Sequence, residues 1–156
     1  MRRRRSIPFQ MILIFLLIAS MAVGMVIYIM TAESRQAGNV VEEFYRLEQE
    51  GKYSSSWELL HSSMHNRFTR EAYIQDRSHV FINHFGVTTF EFTLTKPKRL
   101  DNWQKHEDAE LLDVYHLIAT KEYRGKYGYF EFVQYVYVAR EDDEWKILWD
   151  YRKDPR

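Results

Sequence analysis

The chain has no cysteine. That excludes disulfides, thiolate metal sites, cysteine nucleophiles and a lipid-bearing cysteine. Extracellular domains of this size in eukaryotes often rely on disulfides, so the absence fits a bacterial envelope or a reducing compartment. Glycine is scarce, with six residues scattered over 156. No glycine-rich phosphate cradle is present, and no serine sits in a nucleophile-elbow context. There is no internal repeat and no low-complexity tract. Nothing in the sequence implies a cofactor.

Aromatic residues, in contrast, are abundant. Eleven Tyr, ten Phe and four Trp make up 16% of the chain. Large aromatics bury roughly 150–250 Å² each, so one domain has material for a core without covalent staples. The formal net charge of zero hides an asymmetry. Arg2, Arg3, Arg4 and Arg5 stand together, and without them 18 basic residues face 22 acidic ones. A mildly acidic remainder lacks the basic field that nucleic-acid binding needs, so no nucleic-acid partner is expected.

The arginine cluster precedes an uncharged run from Met11 to Met30. About 20 apolar residues at 1.5 Å each match the roughly 30 Å of a bilayer core. The basic side of such a segment stays in the cytoplasm. The expected organisation is a basic cytoplasmic tail (1–10), a transmembrane helix (11–32), a connector (33–39) and an extracytoplasmic domain (40–152). A cleavable signal has a shorter apolar region of about 7–15 residues and a small-x-small site. The best cut here follows Ala32 and leaves Met30 where a small residue is wanted. Ser20, Ala22 and Gly24 offer a small-residue face for helix association. The lipid bilayer is thus the first expected partner, at the cell membrane.

Beyond residue 39 the apolar period is helical, then becomes two. Val40, Phe44 and Leu47, with Val41 and Tyr45 beside them, predict an amphipathic helix stopped by Gly51. Ser55 and Glu58 have capping-box spacing for a second helix carrying Trp57, Leu60 and Met64. Thr69 caps a third, with Ile74, Ser78, Phe81 and Phe85 along one face and Gly86 as its stop. Phe90, Phe92 and Leu94 then alternate with polar residues as a strand. A polar connection containing Trp103 follows, and residues 111–123 form a second strand. Residues 127–139 are the strongest strand signal. Phe130, Phe132, Val136 and Val138 share one face of it, and Tyr129, Val133, Tyr135 and Tyr137 share the other. After an acidic turn, Trp145, Ile147, Trp149 and Tyr151 alternate in a last strand. The expected fold is α+β: three helices packed on a curved, cone-like antiparallel sheet of about four strands.

The stretch VVEEFYRLEQEGKYSSSWELL resembles the opening of the nuclear-transport-factor-2-like, cone-shaped α+β superfamily. The third helix with its Phe-Gly ending and the closing EDDEWKILWDY fit the same pattern. The resemblance covers roughly residues 36–151. It is closest in flavour to the extracytoplasmic domain that precedes the transpeptidase in some penicillin-binding proteins. It implies a pocket enclosed by helices and curled sheet, used for catalysis in some members and only for binding in many, so fold alone does not assign activity.

Candidate chemistry follows from residue type and spacing. Asp76 and His79 lie three apart on a helix, and His116, Asp113, Tyr45, Tyr115 and Tyr135 are further acid–base or pocket-lining candidates. A solvated polar face of the helix explains Asp76 and His79 equally well. His61 and His65 have i, i+4 spacing, but Ser62 stands where a zinc peptidase places its glutamate and no third ligand is indicated, so no metal is expected. Tyr129, Tyr135 and Tyr137 form an aromatic strand face suited to protein or sugar contacts, against ordinary cross-strand pairing. Trp103 either reaches a partner or the membrane interface, or folds back over the sheet. The expectation is a non-enzymatic, membrane-tethered domain that binds an envelope or membrane protein. The alternatives are a ligand-binding or catalytic pocket in the same fold and an accessory subunit assembled through the transmembrane helix.

Overall fold

The computed structural model describes residues 9–79, 86–87, 89–106 and 109–150. The chain divides into two compact units, Met1–Glu33 and Ser34–Arg156. Helix α1, Phe9–Gln49, contributes to both. In the first unit its large apolar side chains are exposed from Phe9 to Met30, and the helix is long and apolar enough to cross a membrane. Residues 33–39, expected as a connector, are helical and lie within α1.

The second unit is α+β. Its part of α1 buries Ala37, Val41, Phe44, Tyr45 and Glu48. This is a 3.6-residue stripe like the predicted one, but rotated so that a glutamate completes it. Gly51 adopts φ 72°. Lys52 N donates to Leu47 O at 2.8 Å and Gly51 N to Glu48 O at 3.1 Å, the Schellman closure that a residue in the left-handed region permits.

The expected second helix is two short ones, α2 (Tyr53–Glu58) and α3 (Ser62–His65). Ser55 is inside α2 and does not cap it, since Lys52 occupies the N-cap without a side-chain bond. The break has a long-range cause. His61 N donates to Ile147 O at 2.8 Å and Ile147 N to Leu59 O at 2.9 Å, so the chain leaves the helix to pair with a sheet edge. Helix α4, Arg70–Ser78, starts as predicted, with Thr69 Oγ1 accepting from Ala72 N at 3.3 Å. Phe81, Phe85 and Tyr151 lie outside the described residues.

Five antiparallel strands form an open sheet: β1 (Glu91–Leu94), β2 (Lys98–Trp103), β3 (Leu112–Gly125), β4 (Gly128–Glu141) and β5 (Glu144–Trp149). The order is β1-β3-β4-β5, and β2 also pairs with β3. The fifth strand comes from the stretch expected as a polar connection. β1 and β2 follow one another along the same edge of β3, bridged by Thr95. Its N donates to Ile118 O at 3.0 Å, and its Oγ1 accepts from Ile118 N at 2.9 Å. Pro97, which cannot donate to a ladder, sits in the gap between them.

The inner face of the sheet meets α1. Tyr45 OH donates to Gln134 Oε1 at 3.1 Å, Trp145 Nε1 donates to Gln36 Oε1 at 3.1 Å, and Phe44 meets Trp149 edge-on at 6.1 Å. Leu117, Val136, Val138 and Ile147 are buried there with Leu60 and Met64. Each fully buried aliphatic or aromatic side chain contributes roughly 1.5–3 kcal/mol.

Candidate functional site

The outer face of the sheet carries the exposed aromatic residues. Register places Tyr137 opposite His116, Tyr135 opposite Ile118, Val133 opposite Thr120, Glu131 opposite Glu122 and Tyr129 opposite Arg124. These pairs share one face because side chains alternate along a strand. The predicted division of β4 into two faces therefore matches the register.

Trp103 joins this face through a bulge. Leu100 pairs with Val114 but Trp103 with Leu112, so β2 carries one extra residue there. Asn102 takes φ 55° within it, and its N donates to Asp113 Oδ1 at 3.1 Å. Without that extra residue Trp103 would point to the inner face. With it, the indole stacks on Tyr137 at 4.2 Å. Trp103 is thus folded back over the sheet. Tyr137 stacks in turn on His116 at 5.0 Å, and His116 faces Tyr135 at 5.8 Å. His116 is half-buried, and desolvation, then Lys98, lowers its pKa, so the ring is neutral at pH 7.

The row changes character along β4. Trp103 and Tyr137 are buried, whereas Tyr129, Val133 and Tyr135 are 56%, 52% and 41% exposed. Phe132, on the inner face, is 53% exposed. The reason is length. β4 has 14 residues and β5 six, and β5 pairs only with Val136–Glu141. Residues 128–135 therefore project past β5. A row of carboxylates crosses the same region, with Glu91 opposite Glu122 and Glu122 opposite Glu131. Tyr129 OH donates to Glu131 Oε1 at 2.6 Å, which pushes the Tyr129 pKa up to about 12. A groove of about 420 Å³ beside this row is lined by Gly86, Thr89, Phe90, Glu91, Glu122 and Arg124.

A second cluster is buried under the inner face. Glu48 accepts from Tyr73 OH and, at 3.2 Å, from Ser56 Oγ, and Arg77 lies 3.3 Å from its carboxylate. Lys121, fully buried on β3, holds its Nζ over the rings of Phe132, Tyr45 and Phe90 at 4.8, 5.5 and 5.9 Å. Burial first, then Arg77, lowers the Lys121 pKa to about 7, with Glu48 opposing. Burial also raises the pKa values of Tyr45, Tyr73 and Tyr123, which stay protonated.

Of the predicted pocket residues, Tyr45 belongs to this buried cluster. Asp76 and His79 are exposed, and the α4 residues turned inward are Tyr73 and Arg77. His116 lies on the opposite face of the sheet from Tyr45 and Tyr115. His61 is the N-cap of α3, with its Nδ1 accepting from Ser63 N at 3.1 Å. His65 stacks on Trp57 at 3.7 Å. Among the described residues no three His, Asp or Glu side chains converge as a metal site. Sequence reasoning missed Glu48, Tyr73, Arg77 and Lys121. The available signal was Glu48 at i+4 from Phe44 and i+7 from Val41, on the apolar stripe.

No protein-family model and no curated protein matches the chain.

Proposed function

We propose that the chain is a single-pass membrane protein of the bacterial envelope. Its α+β domain lies outside the cytoplasm and binds another protein through the outer face of β3 and β4. The observation that carries this reading is the projecting half of β4, where Tyr129, Val133 and Tyr135 stand exposed on one face. Tyrosine at the centre of an interface supplies large contact area with few rotamers to fix. The charge-free run from Met11 to Met30, with Arg2 to Arg5 before it, supports the anchor and its orientation. The order of helices and strands supports the nuclear-transport-factor-2-like resemblance.

The buried cluster favours a ligand pocket less. The Glu48 carboxylate is already met by Tyr73, Ser56 and Arg77, so its hydrogen-bonding capacity serves the fold. No reaction is assigned to it.

Two experiments test the proposal. Because the chain has no cysteine, single cysteines report topology cleanly. Asp142→Cys should label with an impermeant maleimide in intact cells, and Ser6→Cys only after lysis. The reverse pattern would overturn the orientation. A photo-reactive residue at Tyr135 should capture one defined protein, while the same residue at Asp142 should not. Equal, unselective labelling from both positions would refute the binding face.

A further inference from the structure

Resting on the outer face as a protein-binding surface, we propose that the partner lays an extended, basic segment along Tyr129–Tyr135 as a further strand. The parity of the hydrogen bonds supports this. β3 and β4 are joined by two residues, Lys126 and Tyr127, with Gly125 opposite Gly128. The closing pair of such a hairpin exchanges both backbone bonds. Gly128, Phe130, Phe132 and Gln134 therefore spend their N–H and C=O groups on β3. Tyr129, Glu131, Val133 and Tyr135 point theirs the other way. The β4–β5 hairpin, closed at Glu141 opposite Glu144, demands the same parity, because there the odd-numbered residues bond β5. The bond from Ile118 to Thr95 on the far edge of β3 agrees with it. β5 stops at Trp149 opposite Val136. Among the described residues no backbone group meets the outward N–H and C=O of Tyr129, Glu131, Val133 and Tyr135.

An unpaired edge is a template for another strand, and natural proteins usually blunt it with charged side chains, above all Lys, with Pro or with a bulge; the one charge on this stretch is Glu131. This stretch has no Lys, no Pro and no register shift. The charge beside it selects the occupant. Glu91, Glu122 and Glu131 stand directly opposite one another in neighbouring strands. Like charges so placed destabilise a sheet, and among the described residues none of the three has an ion-pair partner. A strand with Lys or Arg at alternate positions would meet the outward groups and neutralise the row. A second copy of this chain would bring a second acidic row to the first, so self-pairing is disfavoured.

The test uses the full chain in its own membranes, with benzoylphenylalanine placed in turn at Tyr129, Val133 and Tyr135. After irradiation and digestion, the cross-linked residues are read by mass spectrometry. The expected result is one short Lys- or Arg-rich segment of another protein, contacted at positions stepping by two. With the probe at Tyr135, Glu122→Lys combined with Glu131→Lys should cut capture at least tenfold. Val133→Pro removes an outward N–H that the β3 ladder does not use. It should cut capture at least tenfold with an unchanged urea midpoint. Capture that is indifferent to Val133→Pro would overturn strand addition while leaving the binding face intact. Capture of a second copy, of an acidic segment, or of residues 151–156 of the same chain would overturn the stated occupant. Absence of any captured protein at all three positions would remove the binding face itself.

Discussion

Lys121 is 1% exposed and surrounded by aromatic rings, and replacing it by methionine should stabilise the domain in a pH-dependent way. The amine titrates near 7 in the folded chain instead of 10.5. That gap of about 3.5 pH units, at about 1.4 kcal/mol each, means that burial of this group costs about 5 kcal/mol below pH 7. The sign follows from proton counting. Between pH 7 and 10.5 the unfolded chain holds a proton that the folded chain has released, so stability rises with pH across that window. From pH 7 to pH 9 the gain is about 2 kcal/mol. Lys121→Met keeps the length of the side chain and abolishes the titration. It loses ring contacts to the charged form, worth roughly 1–2 kcal/mol in sum. The expected net gain is about 2–4 kcal/mol at pH 7, shrinking by about 2 kcal/mol at pH 9. Urea unfolding of the full chain in detergent would measure it, since Trp57, Trp103, Trp145 and Trp149 all report on the second unit. Parallel pH profiles for the two proteins would refute the reasoning. So would a variant less stable than the wild type at pH 7, because Lys121 would then be charged and compensated by Glu48.

Three further outcomes follow from the same packing. Glu48→Ala strips Tyr73, Ser56 and Arg77 of a shared partner and should cost about 3–5 kcal/mol in urea unfolding, while Glu48→Leu with Arg77→Met should recover much of it. An ideal Cβ on Gly38 would meet Pro97 Cγ at 3.2 Å. Gly38→Leu should therefore lower stability by about 1–3 kcal/mol, read as a fall in Tm, whereas Gly38→Ala should stay within about 1 kcal/mol. Asp142 and Asp143 hold φ 49° and 65° in the β4–β5 turn. Asp143→Gly should add about 0.5–1 kcal/mol by removing left-handed strain, measured as a raised urea midpoint.

The readable parts of the fold were those with local causes. Gly51 stops a helix because it reaches the left-handed region, and Thr69 starts one because its hydroxyl accepts from Ala72. The run of aromatic and β-branched residues over 127–139 marked β4, although its burial changes along the strand and not between its faces: Phe132 on the inner face is 53% exposed and Tyr137 on the outer face is buried. What the sequence hid depends on distant partners. The second helix splits at Leu60 because Leu59 and His61 bond to Ile147, more than eighty residues away. Lys98–Trp103 looks like a polar connection because its charged side chains face solvent. It is a strand because β3 outruns β1 and offers it an edge. The face of Trp103 was illegible because one inserted residue reverses it. Glu48 broke the rule that stripes are apolar, and only its buried partners explain why.

The mismatch between β4 and β5 ties these findings to the proposed role. Strands average about 5–6 residues, yet β3 and β4 have 14 each. Past Val136 toward the hairpin, β4 pairs among the described residues only with β3, which β1 flanks from Ala119 to Glu122. For the domain by itself that extension is poor use of Tyr129, Phe132, Val133 and Tyr135, which are more than two-fifths exposed. Polar residues there would keep this edge of the sheet as well solvated and less prone to unwanted pairing. The same residues become favourable once another strand covers them, because aromatic and β-branched cross-strand pairs contribute roughly 0.2–1 kcal/mol each. The inner face, completed by Glu48, Arg77 and Lys121 under α1 and α4, accounts for the stability of the domain. The projecting half of β4 makes physical sense as the part built for something else to complete.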